Sequence, residues 1–182
     1  GIKMYKTAII TMSDKGAAGR RKDESGPAAR MIIEGQGEFE VTEMVILPDE
    51  PEILKRELIR LSDRERHDLI LTTGGTGLSP RDFTPEATIA VADRRVPGIA
   101  EYMRAKSMEI TPKAMLSRGE AVIRKRTLII NLPGSPKAVR ENLEVILPAL
   151  PHAMGILTGE EGECGRQDYQ NTRGSGHEII DL

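Results

Sequence analysis

Leu71-Thr-Thr-Gly-Gly-Thr-Gly-Leu-Ser-Pro-Arg-Asp-Phe-Thr-Pro-Glu-Ala-Thr88 carries an apolar strand into a glycine loop and then into an acidic segment that opens a helix. Gly74, Gly75 and Gly77 allow positive φ and close backbone approach to a ligand, while Thr73 and Thr76 offer hydroxyls to the same cavity. Phosphate or pyrophosphate is the guest such a junction suits, because it stands at a helix N-terminus. A tight strand-to-helix turn is the other reading. No Gly-Lys-Ser/Thr follows the loop and its spacing is not Gly-x-Gly-x-x-Gly, so neither common nucleotide fingerprint applies.

Outward from this junction, apolar runs and helical faces alternate. Tyr5 to Met12, Phe39 to Leu47, Asp68 to Thr73, Ala121 to Arg124 and Thr127 to Leu132 read as strands. Helices are expected over Gly26 to Glu34, through Leu54, Leu58 and Leu61, over Pro85 to Asp93, from Pro97 towards Met108, through Val139, Leu143, Ile146 and Leu147, and over Pro148 to Leu157. Ser13 to Glu24 is polar and reads as a mobile loop. Alternating strands and helices imply right-handed crossovers and a three-layer α/β/α fold with a largely parallel central sheet. Residues 5–158 form one domain, and 159–182 a polar, glycine-rich tail.

Composition narrows the function. The charge balance is 26 basic against 28 acidic residues, aromatic content is 3% and Trp is absent, so no phosphate-tracking surface or base-stacking platform is indicated. Nucleic acid is not an expected partner. The single cysteine, Cys164, excludes an internal disulfide or a thiolate cluster. His67, His152 and His177 lack metal-ligand spacing. No apolar run approaches the roughly 20 residues of a membrane span, and no secretory signal is seen, so a cytoplasmic protein with no membrane contact is expected.

Ligands of parallel sheets collect at the carboxyl ends of strands. Four apolar runs end in Ser13-Asp14, Pro48-Asp49, Gly74 to Gly77 and Pro133-Gly134-Ser135, which would form one rim if the strands are parallel. Thr84 reads as an N-cap with Pro85 at the first helical position, which leaves Asp82 free for another role. Asp49 fits two readings equally, helix cap or rim carboxylate. Together Asp49 and Asp82 could hold magnesium, which takes one or two carboxylates and bridges substrate phosphates. Asp14 could join them, although Ser13-Asp14-Lys15-Gly16 suits an ordinary turn. Arg81, Arg118 and Lys137 are cations beside the rim that could neutralise phosphate. Ser135 could cap the helix after it or donate to a ligand.

Four segments, Thr73-Gly-Gly-Thr-Gly77, Pro80-Arg-Asp-Phe-Thr-Pro-Glu-Ala-Thr88, Leu116-Ser-Arg118 and Asn131-Leu-Pro-Gly-Ser-Pro-Lys137, closely resemble the molybdopterin adenylyltransferase family of molybdenum cofactor biosynthesis, which includes the gephyrin G domain. The likeness covers about residues 5 to 158 and implies a molybdopterin-binding-like fold. It implies that the terminal phosphate of molybdopterin attacks the α-phosphate of magnesium ATP, giving adenylyl-molybdopterin and pyrophosphate. On this resemblance Asp49 and Asp82 are the catalytic acids and position magnesium. Gly74 to Gly77 hold phosphate and pterin-side groups, and Ser117, Asn131 and Pro133 to Ser135 line the neighbouring pocket. The family is commonly trimeric, so a homotrimer is implied, and a molybdate-insertion enzyme is a possible partner. Two alternatives stand beside this reading: a molybdopterin-binding or scaffolding module without turnover, and a related enzyme acting on another phosphorylated nucleotide. The glycine-rich tail and Leu78-Ser79-Pro80 depart from the family pattern.

Overall fold

Six strands assemble into one sheet in a computed structural model that describes residues 3–160. They are β1 (Tyr5–Met12), β2 (Phe39–Leu47), β3 (Leu69–Thr73), β4 (Arg94–Arg95), β5 (Ala121–Arg124) and β6 (Thr127–Leu132), in spatial order β2-β1-β3-β6-β5-β4. The first four in that order run parallel, as expected, whereas β5 returns antiparallel against β6 through a turn at Lys125, and β4 antiparallel against β5. Residues 161–182, and with them most of the expected tail, Cys164 and His177, lie outside the described residues.

The period of two along each strand sorts the core into two layers. Ile9, Leu71 and Ile130 pair across three strands and face one side, while Ala8, Ile70 and Ile129 pair one residue earlier and face the other. The first side is covered by α2 (Ser25–Gly35), α5 (Pro97–Met108), α6 (Pro136–Ile146) and α7 (Leu150–Leu157). The second is covered by α3 (Pro51–Ile59) and α4 (Thr84–Ala90). Leu54, Leu58 and Leu61 are fully buried on that second side, each worth about 1.5–3 kcal/mol of transfer free energy. The three-layer architecture read from the sequence is the one observed.

Local capping explains where helices begin. The Asp23 carboxylate accepts from the Ser25 and Gly26 amides at 3.1 and 3.0 Å, and so starts α2. Ser135 Oγ accepts from the Ala138 amide at 3.2 Å, with Pro136 at the first helical position of α6. The segment expected to be a mobile loop opens instead with a short helix, α1 (Asp14–Ala17), capped by Ser13 Oγ on the Gly16 amide at 2.9 Å. Thr84 does not cap α4: it lies inside the helix, its amide donates to the Gly75 carbonyl at 3.1 Å, and its hydroxyl makes no cap bond. After α3 a π turn (Arg60–Arg64) leads to His67, whose ring is buried between the Leu61 carbonyl and the Thr42 hydroxyl.

Candidate active site

The loops after β1, β2, β3 and β6 converge, as the parallel order requires, around a cavity of about 630 Å³. Of the residues read from the sequence, Ser13, Asp14, Asp49, Thr73, Gly74, Gly75, Asp82, Gly134 and Ser135 line it. Gly74 (φ +88°) and Gly75 (φ +70°) take backbone conformations that side chains resist. A Cβ on Gly74 would sit 2.5 Å from the Met12 carbonyl oxygen, and one on Gly75 would collide with Thr84 Oγ1. The loop is therefore bare backbone pressed against β1 on one side and α4 on the other. The amide of Gly75 has no acceptor among the described residues.

Both carboxylates of the sequence reading face this space. Asp49 does not cap α3, whose cap position is Glu50. Its Oδ2 accepts instead from the Asp14 amide at 3.2 Å, and Asp14 Oδ1 accepts from the Asp49 amide at 2.9 Å. Burial pushes the Asp49 carboxyl above its ordinary value, and the negative charges of Asp14 and Asp82 add to the rise. Asp82 Oδ2 accepts from the Ser79 amide at 3.0 Å, which closes the turn after the glycines. Each acid keeps one oxygen, Oδ1, without a donor among the described residues. Asp14 is held below the usual carboxylate range, first by the Arg81 guanidinium and then by the Asp49 amide. Arg81 grips it with two bonds, at 2.6 and 2.9 Å.

Other sequence candidates support the cavity from behind rather than line it. Asn131 is 1% exposed and donates to Thr72 Oγ1 and Thr88 Oγ1 at 3.0 and 2.9 Å, while its oxygen accepts from the Glu120 amide at 3.1 Å. It ties β6 to β3 and α4. Arg118 donates to the Gly77 and Asp82 carbonyls at 2.9 and 2.7 Å and pairs with Glu86, so it clamps the loop that ends in Asp82. Its amide also donates to the Thr76 carbonyl. Ser117 accepts from the Gly119 amide, and Lys137 pairs loosely with Glu141 on the surface. Thr76, Gly77, Arg81 and Pro133 likewise stand outside the lining.

The sequence reading missed the wall built from 15–25. Lys15, Arg21, Lys22, Asp23 and Ser25 line the cavity, and the three cations have no ion pair among the described residues. Asp23 also accepts from Thr11 Oγ1 at 2.9 Å, and Ser25 Oγ donates to the Gly134 carbonyl, which joins this wall to the β6 loop. The run of cations directly after the carboxyl end of β1 was the available signal.

Magnesium takes oxygen ligands and keeps several waters. No group of three or more His, Cys, Asp or Glu among the described residues forms a metal cage. Two carboxylates, each with a free oxygen, on one cavity fit an ion that a phosphorylated substrate helps to hold. Thr73, fully buried and on the same wall, keeps its hydroxyl without a partner among the described residues, as a site built for a polar ligand would.

A mostly parallel sheet with a glycine loop, two carboxylates and a cationic wall at its carboxyl edge places the chain among the α/β proteins whose ligand sites lie at that edge. Residues 8–152 match the family described as "Probable molybdopterin binding domain", and the chain belongs to that family of molybdenum cofactor biosynthesis. It is 37% identical to molybdopterin adenylyltransferase of Helicobacter pylori over 169 residues, covering 91% of this chain and 94% of that protein. It is 46% identical to gephyrin of Dictyostelium discoideum over 161 residues, 84% of this chain but 22% of gephyrin. Among solved structures, the molybdopterin biosynthesis enzyme MoaB of Thermus thermophilus superposes with a TM-score of 0.82 at 54% identity, covering 86% of this chain and 98% of that one.

Proposed function

We propose that this chain transfers AMP from magnesium ATP to molybdopterin. An oxygen of the molybdopterin terminal phosphate attacks the α-phosphorus of ATP, the bond from that phosphorus to the α,β-bridging oxygen breaks, and pyrophosphate leaves with the electron pair. Adenylyl-molybdopterin is the other product, and no protein nucleophile takes part. The observation that carries this reading is the pair Asp49 and Asp82 facing one cavity beside the Gly74-Gly75 backbone.

Asp49 and Asp82 are the residues that would hold magnesium, which when bound offsets triphosphate charge. The glycine loop supplies backbone donors, and Lys15, Arg21 and Lys22 supply positive charge where negative charge gathers in the transition state. Arg118 acts indirectly by fixing the Asp82 segment. ATP as substrate suits a cytoplasmic protein, and no helix among the described residues is long and apolar enough to cross a membrane. A homotrimer is part of the proposal. Exposed Leu78, Tyr102, Ile110, Met115 and Leu116 offer apolar surface for such contacts, and a molybdate-insertion enzyme is the proposed consumer of the product.

Asp82→Asn tests the reading. Asparagine keeps an acceptor for the Ser79 amide and removes the charge, so circular dichroism and melting should match wild type. AMP incorporation into molybdopterin should fall by about 10²–10³-fold. Full turnover in that variant, or pyrophosphate release from ATP without molybdopterin, would refute it.

A further inference from the structure

Three rim segments meet at Asp14. Its amide and carboxylate exchange hydrogen bonds with Asp49, at 3.2 and 2.9 Å, so the two residues brace each other across the ends of β1 and β2. The same carboxylate takes Arg81 Nε on Oδ2 at 2.6 Å and Nη2 on Oδ1 at 2.9 Å. Arg81 comes from the turn that precedes α4, 67 positions along the chain. Asp14 is the only acid within ion-pair distance of Arg81 among the described residues, yet the charges of Arg81 and Asp49 act on each other. One guanidinium thus stands near three carboxylates, those of Asp14, Glu50 and Asp49, and is bound to the first of them.

A guanidinium grips a carboxylate through two parallel bonds and carries its charge at every physiological pH. Were Arg81 to take Asp49, it would neutralise the acid that the cavity presents and occupy its free oxygen. We propose that Asp14 is a positioning residue for Asp49: it fixes the Asp49 backbone and engages Arg81, which leaves the Asp49 carboxylate open to the cavity and to a metal-bound triphosphate. The metal part of this inference rests on the magnesium-nucleotide reading above. The arrangement of Asp14, Arg81 and Asp49 does not.

Two measurements on the full chain separate these parts. Manganese retained with the protein, above that held by ATP alone, in equilibrium dialysis against manganese ATP is compared in wild type, Asp14→Ala, Arg81→Ala and the double variant. Asp14→Ala should bind about fivefold more weakly, the size of one exposed ion pair, and the double variant should recover most of that loss. A double variant as weak as Asp14→Ala would reduce Asp14 to a tether and overturn the proposal. Asp14→Asn keeps an acceptor for the Asp49 amide and should fall between wild type and Asp14→Ala; weaker binding than Asp14→Ala would also count against it. The second measurement is a crystal structure of Asp14→Ala without ligand. Arg81 should lie within hydrogen-bond distance of the Asp49 carboxylate, and an Arg81 turned to solvent or paired with Glu50 would overturn the proposal. A wild-type chain that takes up no manganese with ATP would sink the nucleotide reading, while the crystal structure would still decide what Asp14 does.

Discussion

Substituting Gly74 by alanine isolates the cost of building the glycine loop. The backbone there has φ +88°, and a Cβ would sit 2.5 Å from the Met12 carbonyl oxygen, which belongs to β1 and cannot rotate away. A left-handed conformation costs a residue with a side chain about 1–2 kcal/mol. Overpacking against fixed atoms costs about 1–3 kcal/mol more. The sum is about 2–5 kcal/mol, centred on about 3.5 kcal/mol, and a chain of this size loses about 2–4 °C of melting temperature per kcal/mol, so Gly74→Ala should melt about 7–14 °C lower. Gly35→Ala is the matched control. That residue ends α2 with nothing within 4 Å of an added Cβ, so the change should be neutral or stabilise by up to about 1 kcal/mol. Differential scanning calorimetry of the three proteins in one buffer checks both expectations. A Gly74→Ala protein that melts within about 2 °C of wild type would refute the claim that the loop needs glycine for steric reasons.

Arg118 supports the cavity and His67 lies buried beside β2, and each gives a measurable outcome. Arg118→Ala removes two bonds to loop carbonyls and one exposed ion pair, so urea unfolding should show a loss of about 1–3 kcal/mol. Its KM for magnesium ATP should rise, since the Asp82 segment loses its clamp; unchanged stability would show the clamp to be idle. Burial holds the His67 ring below its ordinary pKa, so the unfolded chain binds the proton more readily than the folded one. The stability this gives is present above the ordinary imidazole value and is lost as pH falls through the folded one. Between about pH 7.5 and about pH 5.5 wild type should therefore lose more stability than His67→Gln, and equal losses would remove His67 from the account.

Much of this architecture can be read from residue order. β1, β3 and β6 are mostly apolar runs and β2 alternates, and each is followed by small, acidic or hydroxyl residues, so the rim shows in the sequence without the sheet order. The faces of α3 and α6 show in the spacing of Leu54, Leu58 and Leu61 and of Val139, Leu143 and Ile146. Other features leave no such trace. α1 is too short for a helical period, and β4 is two arginines with no apolar residue to mark a strand. Thr84 before Pro85 has the pattern of a cap, yet the close approach of the Gly75 backbone draws it into the helix. Lys15, Arg21 and Lys22 look like solvated surface in one dimension. They face the cavity because α1 and the Asp23 anchor fold their segment over the end of β1, a long-range arrangement that local composition does not report. Asp49 shows the reverse case: its two local readings were equal, and a partner 35 positions away decided between them.

The close contact of the β3 and β6 loops, where a Cβ on Gly134 would lie 3.4 Å from the Gly74 Cα, gives the cavity one wall without side chains. At Gly74 and Gly75 that wall leaves almost no room for substitution, whereas an added Cβ on Gly134 would meet its neighbour at ordinary contact distance. The variable part of the lining is elsewhere, where Lys15, Arg21 and Lys22 line the same cavity from a segment that contributes no core residue. A library aimed at new ligands would randomise those three positions and leave 74 and 75 untouched, so that the cavity's charge varies while the scaffold stays fixed.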